Sequence, residues 1–269
     1  MSGHPSGAGG VALTPMRRAW LRELGIERIW RAPATAAAAA RTVEAASGAA
    51  VAGGALLPAV ASPAVGQDTP PAAVQPPISD DEAWARLQEE VAHCTRCGLC
   101  QGRTQTVFGV GARQASWMIV GEAPGEQEDR QGKPFVGRSG KLLDAMLAAV
   151  GRSRERGVFI ANVIKCRPPG NRDPQPEEVA QCSPYLMRQI ELVQPAAILV
   201  LGRFAAQTLL NTDARIGSLR GRVHHTDVQG RKVPVVVSYH PAYLLRSPHE
   251  KSKAWQDLQL AESLSLAAG

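Results

Sequence analysis

From Asp80 to the end of the chain, short apolar runs alternate with longer amphipathic segments, and few folds accommodate this order. The apolar runs have the length of buried strands, and they read SWMIVG, GVFIANVIKC, AAILVLG and KVPVVVSYHP. The segments between them, such as SGKLLDAMLAAVG and PEEVAQCSPYLMRQIELVQP, are predicted to be helices that cross back over a sheet. The alternation predicts an α/β fold, a three-layer α/β/α sandwich around a central, mainly parallel sheet.

The N-terminal part of the chain has a different composition, which predicts three parts. Residues 1–33 contain apolar residues at partly helical spacing, and we predict a short amphipathic element that docks an unknown partner protein. Residues 34–79 consist almost entirely of Ala, Pro, Gly, Val and Ser. We predict a disordered linker there, because such a segment buries too little apolar surface to fold. Residues 80–269 are long enough for one hydrophobic core and are predicted to be the folded domain.

A membrane-spanning segment is not expected. Residues 45–65 carry no charge, but they are rich in Ala and Gly and are interrupted by Pro58 and Pro63. A membrane helix needs a longer and more apolar run than this. The sequence therefore predicts a protein without membrane contact.

Five cysteines, Cys94, Cys97, Cys100, Cys166 and Cys182, form a pattern that is typical of metal binding. An odd number without a secretory signal argues against a disulfide framework. The C-x2-C pair places two thiolates at one turn, and with the two distant cysteines it makes a set of four, which suits zinc or an iron–sulfur cluster. Because the first three cysteines also form a C-x2-C-x2-C run, the spacing leaves open which metal binds and which thiol is spare.

Polar residues follow several of the predicted strands, in the segments GEAPGEQED, NVIKCRPP, LGR and HPAYLLR. Ligands of parallel sheets bind at the carboxyl ends of the strands, so we expect these segments to form one site. The first segment lacks the spacing of a phosphate loop and places Glu122 where a phosphate requires donors, which argues against a nucleotide site. For His240–Arg246 two interpretations stay open: a turn that ends a strand, or an apolar wedge with a cation for a phosphate.

Basic residues are concentrated near the C-terminus. Nine Lys and Arg residues stand against three acidic residues between Arg203 and Lys253, whereas the whole chain has a net charge of only +6. A polyanion such as nucleic acid is the partner that this charge favours, and a solvated basic face is the alternative. Charge alone does not decide between them.

Taken together, these motifs resemble the family 4 uracil-DNA glycosylases, the iron–sulfur branch of the uracil-DNA glycosylase superfamily. The resemblance is carried by GEAPGEQEDRQGKPFVGRSGKLLD, NVIKCRPPGNR, HPAYLLR and four of the cysteines, and it spans residues 85–265. It implies a uracil-DNA glycosylase-like α/β fold and a [4Fe-4S] cluster. It also implies an enzyme of base excision repair that hydrolyses the N-glycosidic bond of deoxyuridine in DNA and leaves an abasic site.

The same resemblance assigns roles to individual residues. The cluster ligands that it implies are Cys94, Cys97, Cys166 and Cys182, which leaves Cys100 free. The residues that it places in the substrate pocket are Glu122, Ala123, Pro124, Glu128, Phe135, Asn162 and His240. The residues that it brings to the DNA are Leu244, as part of the wedge, and Arg246, on the backbone.

Three of these side chains have a chemistry that suits removal of a base flipped out of the DNA stack. Phe135 can stack on the flipped ring. Asn162 offers a donor and an acceptor that match uracil O4 and N3–H and mismatch cytosine. His240 can donate to uracil O2, where negative charge builds as the C1′–N1 bond breaks. We therefore expect Asn162 and His240 to be catalytic.

Activation of the water is assigned less directly. Other branches of the superfamily carry an aspartate at the position of Ala123. Family 4 has an alanine there, as this sequence does. Glu122 is the nearest carboxylate, and we predict that it activates the water, with a loop-shaping role as the alternative. Glu128 is predicted to fill the space beside uracil C5, which excludes the methyl group of thymine.

A non-catalytic iron–sulfur DNA-binding module, associated with a polymerase or a repair complex, is the competing class. It needs the cysteines and the basic stretch, but it does not need Asn162, Phe135 and His240 in one pocket. For the enzyme the predicted partner is uracil-containing DNA. We predict a monomer in the bacterial cytoplasm, associated with the nucleoid.

Overall fold

The structure is a computed structural model, and it describes residues 79–267. The predicted N-terminal element (1–33) and the predicted linker (34–79), except for Ser79, lie outside the described residues. Both predictions stay untested. Ser79 is the N-cap of the first described helix.

The described residues form six strands and eight α-helices. The strands are β1 (Val110–Gly111), β2 (Trp117–Gly121), β3 (Val158–Asn162), β4 (Ala197–Leu201), β5 (Val223–Val228) and β6 (Arg231–Ser238). The helices are α1 (Asp80–Ala92), α2 (Glu126–Gln131), α3 (Arg138–Ala149), α4 (Pro176–Val193), α5 (Arg203–Leu210), α6 (Ile216–Leu219), α7 (Pro241–Arg246) and α8 (Lys251–Ala267). Within this part of the chain, no helix is both long and apolar enough to cross a membrane.

The six strands form one sheet in the order β1-β3-β2-β4-β6-β5. The four inner strands are parallel, and the edge strands β1 and β5 are antiparallel to their neighbours. Every residue of β2, β3 and β4 is buried, as expected for parallel strands that are covered on both faces. The prediction of an α/β fold with a mainly parallel sheet is confirmed.

Helices cover both faces of this sheet. Alternate strand residues point to opposite faces, so the buried strands have apolar side chains on both faces that need cover. One core packs Met118, Val120 and their counterparts on neighbouring strands against residues of α1, α4 and α5. The other packs Trp117, Ile119 and their counterparts against residues of α3, α7 and α8. The three predicted layers are therefore present.

The edge of the sheet and the end of β6 differ from the prediction. Strand β5 was not predicted, because its letters VHHTDV are mostly polar and only Thr226 and Val228 are buried. It joins β6 through Gln229 and Gly230, whose φ angles of 52° and 80° allow a tight two-residue hairpin. Strand β6 ends at Ser238, three residues before the end of the predicted run KVPVVVSYHP.

The segment HPAYLLR forms a helix, which neither of the two interpretations of the sequence included. His240 is the N-cap of the short helix α7, and Pro241 occupies its first turn. Proline is favoured there because its fixed φ is helical and its missing N–H needs no partner. The carboxyl end of β6 thus passes directly into a helix that begins at the rim of the sheet.

Candidate active site

A cleft of about 580 Å³ opens at the carboxyl ends of the parallel strands. Its size lies in the range of small-molecule sites. The segments after β2, β3, β4 and β6 all contribute to it, as the pattern of polar strand ends predicts. The sequence-predicted residues that line it are Glu122, Ala123, Pro124, Glu128, Phe135, Asn162, His240 and Arg246.

Asn162 is the last residue of β3, and its amide is buried at the base of the cleft. The residue is 1% exposed, and Oδ1 has no hydrogen-bond partner among the described residues. Gly121 pairs with it across the sheet, and a Cβ at Gly121 would lie only 2.5 Å from Oδ1. Because Gly121 has no side chain, space remains beside the unpaired Oδ1 of Asn162. An N–H group of a ligand can donate to this oxygen.

Phe135 forms a second wall of the cleft, from a backbone conformation that is rare for an aromatic residue. Its φ is 53°, in the left-handed region. Arg154 donates to the carbonyl of Pro134 at 2.7 Å and also to the carbonyl of Phe135. A Cβ at Gly140 would collide with that same Phe135 carbonyl. Arg154 and Gly140 therefore hold the ring in place, and neither was predicted as part of the site.

The imidazole of His240 lies against Phe135, with ring centroids 5.4 Å apart and planes 28° from parallel. Its Nδ1 is 3.1 Å from the backbone N–H of Ala242 and accepts a hydrogen bond from it as the N-cap of α7. In the neutral ring the proton must then be on Nε2. Burial lowers the pKa of His240 to about 4, with a further lowering by Arg246 and an opposing effect of Glu128. At neutral pH the ring is an uncharged donor through Nε2.

Glu122 is a partly buried carboxyl that can exchange a proton near neutral pH. Burial raises its pKa to about 7, with a smaller rise from Asp173 and an opposing effect of Arg203. Ala123 and Pro124, which follow it, also line the cleft and offer no side-chain acceptor. The pKa of Glu122 is thus suited to a general base that works near neutral pH.

Glu128 also lines the cleft, but its Oε1 accepts hydrogen bonds from the backbone. The donors are the N–H groups of Val136 at 2.9 Å and of Gly137 at 3.3 Å. Gly137 is the N-cap of α3, so the carboxylate holds the start of this helix and the loop that carries Phe135. The predicted exclusion of a methyl group at uracil C5 stays a prediction.

The structure corrects the prediction for Leu244. This leucine is 1% exposed and packs in the core formed by α3, α7 and α8, so it is not available as a wedge. The exposed leucine is its neighbour Leu245, at 38%. The helix α7 explains why Leu244 is buried and Leu245 is exposed, because successive residues of a helix point about 100° apart. Arg246 is exposed and lines the cleft, and its predicted contact with the DNA backbone stays a prediction.

The four predicted metal ligands, Cys94, Cys97, Cys166 and Cys182, line one cavity between α1 and α4. Cys100 lines it too, so its predicted role as the spare thiol stays a prediction. All five thiols are free. Within residues 79–267, no three His, Cys, Asp or Glu side chains come close enough to hold a single ion.

The surroundings of the thiols fit a thiolate-bound group. Arg103 donates to Cys166 Sγ at 3.1 Å, and the backbone N–H of Lys165 donates to Cys182 Sγ at 3.2 Å. Such donors stabilise the negative charge of ligating sulfur. Burial raises the pKa of Cys166, and it raises that of Cys182 to about 11. Without a bound cation these thiols stay protonated at neutral pH.

Several residues that line the cleft were not singled out from the sequence. The far wall is formed by Arg203 and Phe204, which start α5, and by Arg172 in the loop before α4. Arg203 lies in LGR, one of the segments that were expected at the carboxyl ends of strands, but it was given no role of its own. Arg172 is the last residue of the motif NVIKCRPPGNR, but no role was predicted for it. A two-pronged ion pair with Glu178 holds its side chain in the wall.

Comparison with known proteins identifies the family. Residues 108–259 match the model of the uracil DNA glycosylase superfamily. The chain is 46% identical to the type-4 uracil-DNA glycosylase of Archaeoglobus fulgidus over 182 residues, which is 66% of this chain and 91% of that protein. It is 40% identical to type-4 enzymes of Sulfurisphaera tokodaii (69% and 86%) and Thermotoga maritima (68% and 95%). The chain therefore belongs to the uracil-DNA glycosylase superfamily, in its type-4 branch.

Proposed function

We propose that this protein is a uracil-DNA glycosylase that hydrolyses the N-glycosidic bond of deoxyuridine in DNA. The observation that carries the proposal is the pairing, in one cleft, of the unpaired acceptor of Asn162 with the neutral donor of His240. Uracil presents a matching N–H donor and carbonyl acceptor. The names of the type-4 relatives support the same activity.

Recognition of the flipped base is the first step. Asn162 Oδ1 accepts from uracil N3–H and its Nδ2 donates to O4, while the ring of Phe135 stacks on the base. Cytosine has no N–H at position 3 and an amine at position 4, so it leaves the buried amide mispaired. A site of this kind rejects the wrong base through unpaired polar groups.

Bond cleavage is the second step. As the C1′–N1 bond breaks, its electron pair moves into the uracil ring, and negative charge appears on O2. The Nε2–H of His240 donates to this oxygen, and the ring is neutral and fixed before the reaction begins. Water adds to the electron-poor C1′ and loses a proton to Glu122, which leaves a hydroxyl on the sugar of the abasic site.

The role of Glu122 predicts a pH profile. The rate of single-turnover uracil release should rise about tenfold per pH unit below pH 7 and level off above it, because only the carboxylate accepts the proton of water. His240 does not contribute to this limb, since its pKa of about 4 keeps it neutral throughout. Glu122→Gln should be slow and lack the limb. If its profile keeps the wild-type shape, backbone groups of the loop position the water instead.

We further propose that Cys94, Cys97, Cys166 and Cys182 hold a [4Fe-4S] cluster. A shared cavity, free thiols and donors to two of the sulfurs support it, as does the type-4 branch. The cluster would tie the turn after α1 to α4 and to the loop after β3. Bound there, it would supply structural support for these elements.

Metal analysis tests this assignment. Protein purified without oxygen should be brown and contain about four iron atoms per chain. Cys166→Ala and Cys182→Ala should lose iron and aggregate, because both thiols are buried and the cluster would no longer hold the loop after β3 to α4. Cys100→Ser is the matched control and should keep both iron and fold. A colourless protein with one zinc ion per chain would contradict the assignment.

DNA binding should depend on the exposed cation at the rim of the cleft. Arg246→Ala should weaken binding to any sequence about equally, and it should reduce the slope of log affinity against log salt by about one. Lys232→Ala removes the same charge from the start of β6, at the opposite end of that strand from the cleft, and should leave the slope unchanged. Equal slopes for the wild type and Arg246→Ala would mean that Arg246 does not touch phosphate.

The non-catalytic DNA-binding module is not favoured. The type-4 relatives align with this chain over 86–95% of their own length and are named as glycosylases. Leu245 takes the place of Leu244 as the proposed apolar contact to DNA, because it is the exposed leucine of α7. The monomeric state and the location beside the nucleoid stay predictions.

A further inference from the structure

One buried lysine lies between the cleft and the cysteine cavity and has no part in the proposed hydrolysis. Lys165 follows Asn162 by three residues and immediately precedes Cys166. It is 1% exposed and lines the cysteine cavity. Lysine is almost never fully buried unless its charge is compensated, so this position requires an explanation.

The two ends of Lys165 contact different sites. Its Nζ donates to the main-chain carbonyl of Asn162 at 2.7 Å, and its backbone N–H donates to Cys182 Sγ at 3.2 Å. A second bond from Nζ goes to Gln189 Oε1 at 2.7 Å, and Gln189 is itself fixed by a bond to the Phe108 carbonyl. A single residue therefore connects the base-reading residue with the cysteines.

The charge of Lys165 has no carboxylate partner within ion-pair distance in the described part of the chain. Both acceptors of its ammonium are neutral oxygens. A buried cation without an opposite charge is strongly destabilising. An iron–sulfur cluster that is bound by four thiolates carries net negative charge, and Cys166 and Cys182 would bring that charge next to Lys165.

We propose that Lys165 is a positioning residue that links the two sites. Its charge offsets that of the cysteine-bound cluster, and its ammonium fixes the carbonyl of Asn162 at the end of β3. The inference rests on the proposed function for the cluster and for the uracil-reading amide. Through this residue a group outside the cleft can affect base recognition, because the lysine that would face the cluster also holds the carbonyl of Asn162.

Two variants separate the charge from the contact. Lys165→Met removes both the cation and the bond to Asn162 at similar side-chain volume. Gln189→Glu keeps the lysine and its bond to Asn162, but it places a neutralising carboxylate beside Nζ and gives up the bond that the amide donates to the Phe108 carbonyl. For each variant we would measure iron per chain, the reduction potential of the iron-loaded protein, and the affinity for free uracil by calorimetry.

Both variants should move the reduction potential to more negative values, because less positive charge faces the cluster. Only Lys165→Met should weaken uracil binding, by about tenfold, the usual effect of losing a hydrogen bond to a charged group. Wild-type potentials in both variants would overturn the proposal, as would wild-type uracil affinity in Lys165→Met. If Lys165→Met does not fold, the potential of Gln189→Glu decides alone.

These outcomes are separable from failure of the proposed function. A wild-type protein without iron contradicts the cluster, whereas the uracil affinity of Lys165→Met still tests the contact to Asn162. A wild-type protein that binds uracil but does not release it from DNA contradicts the glycosylase assignment. It leaves the measured link between Lys165 and Asn162 unaffected.

Discussion

Replacing His240 with alanine should slow single-turnover uracil release about a hundredfold or more, the usual effect of removing one preorganised donor. DNA affinity should stay near that of the wild type, because the charge that His240 stabilises appears only as the bond breaks. The N-cap bond from Ala242 holds the ring in the tautomer that donates through Nε2, so the donor is in place before the reaction. The measurement is the rate of product formation with enzyme in excess over DNA.

His249→Ala is the matched control for this variant. His249 lies just after α7, with a side chain that is 77% exposed, and it does not line the cleft. It should release uracil at the wild-type rate. Equal rates for His240→Ala and His249→Ala would mean that His240 serves α7 as an N-cap and does not act on the substrate.

Asn162→Asp should also lose uracil excision by about a hundredfold or more, for a different reason. The carboxylate has no donor for uracil O4, and its charge is buried at the base of the cleft. It can accept from the cytosine N4 amine, so slow release of cytosine is the expected gain. Single-turnover assays on two oligonucleotides that differ only in uracil or cytosine measure both effects.

Asn211→Asp makes the same chemical change outside the cleft, in the turn that ends α5, and should leave both activities unchanged. If Asn162→Asp removes uracil as the wild type does, the amide of Asn162 does not read the base. The unpaired Oδ1 would then need another partner.

The sheet and the site were predictable to the extent that they follow from apolar runs and strand ends. Buried runs identified β2, β3, β4 and most of β6, and the carboxyl ends of parallel strands meet at one edge. Glu122, Asn162 and His240 could therefore be placed together from the order of residues alone. Edge strand β5 was not predicted, because half of its residues face solvent and its sequence therefore contains no apolar run.

Side-chain direction was less predictable than position. HPAYLLR indicated apolar residues near the DNA, but which leucine is exposed depends on the register of α7 against the core. The contacts of Arg154 and Lys165 were not predicted, for a related reason. Both act on main-chain carbonyls of other residues, and such contacts leave no pattern in the sequence.

The cysteine spacing predicted a shared cavity, and the fold brings Cys94, Cys97, Cys166 and Cys182 to one. Spacing did not separate these four from Cys100, because Cys94, Cys97 and Cys100 form one C-x2-C-x2-C run, and in the structure all five reach the same cavity. The identity of the metal depends on how the thiols are arranged around it, which residue order does not encode. Metal analysis with Cys100→Ser decides both questions.

A single-turnover assay of the wild-type protein tests most directly the claim that the cleft removes uracil from DNA. The substrate is an end-labelled oligonucleotide with one deoxyuridine, and the control is the same strand with thymidine. Alkali cleaves the strand wherever an abasic site has formed. We expect alkali-dependent cleavage at the deoxyuridine and none at the thymidine. An intact deoxyuridine strand, after incubation with iron-loaded protein that binds it, would contradict the claim.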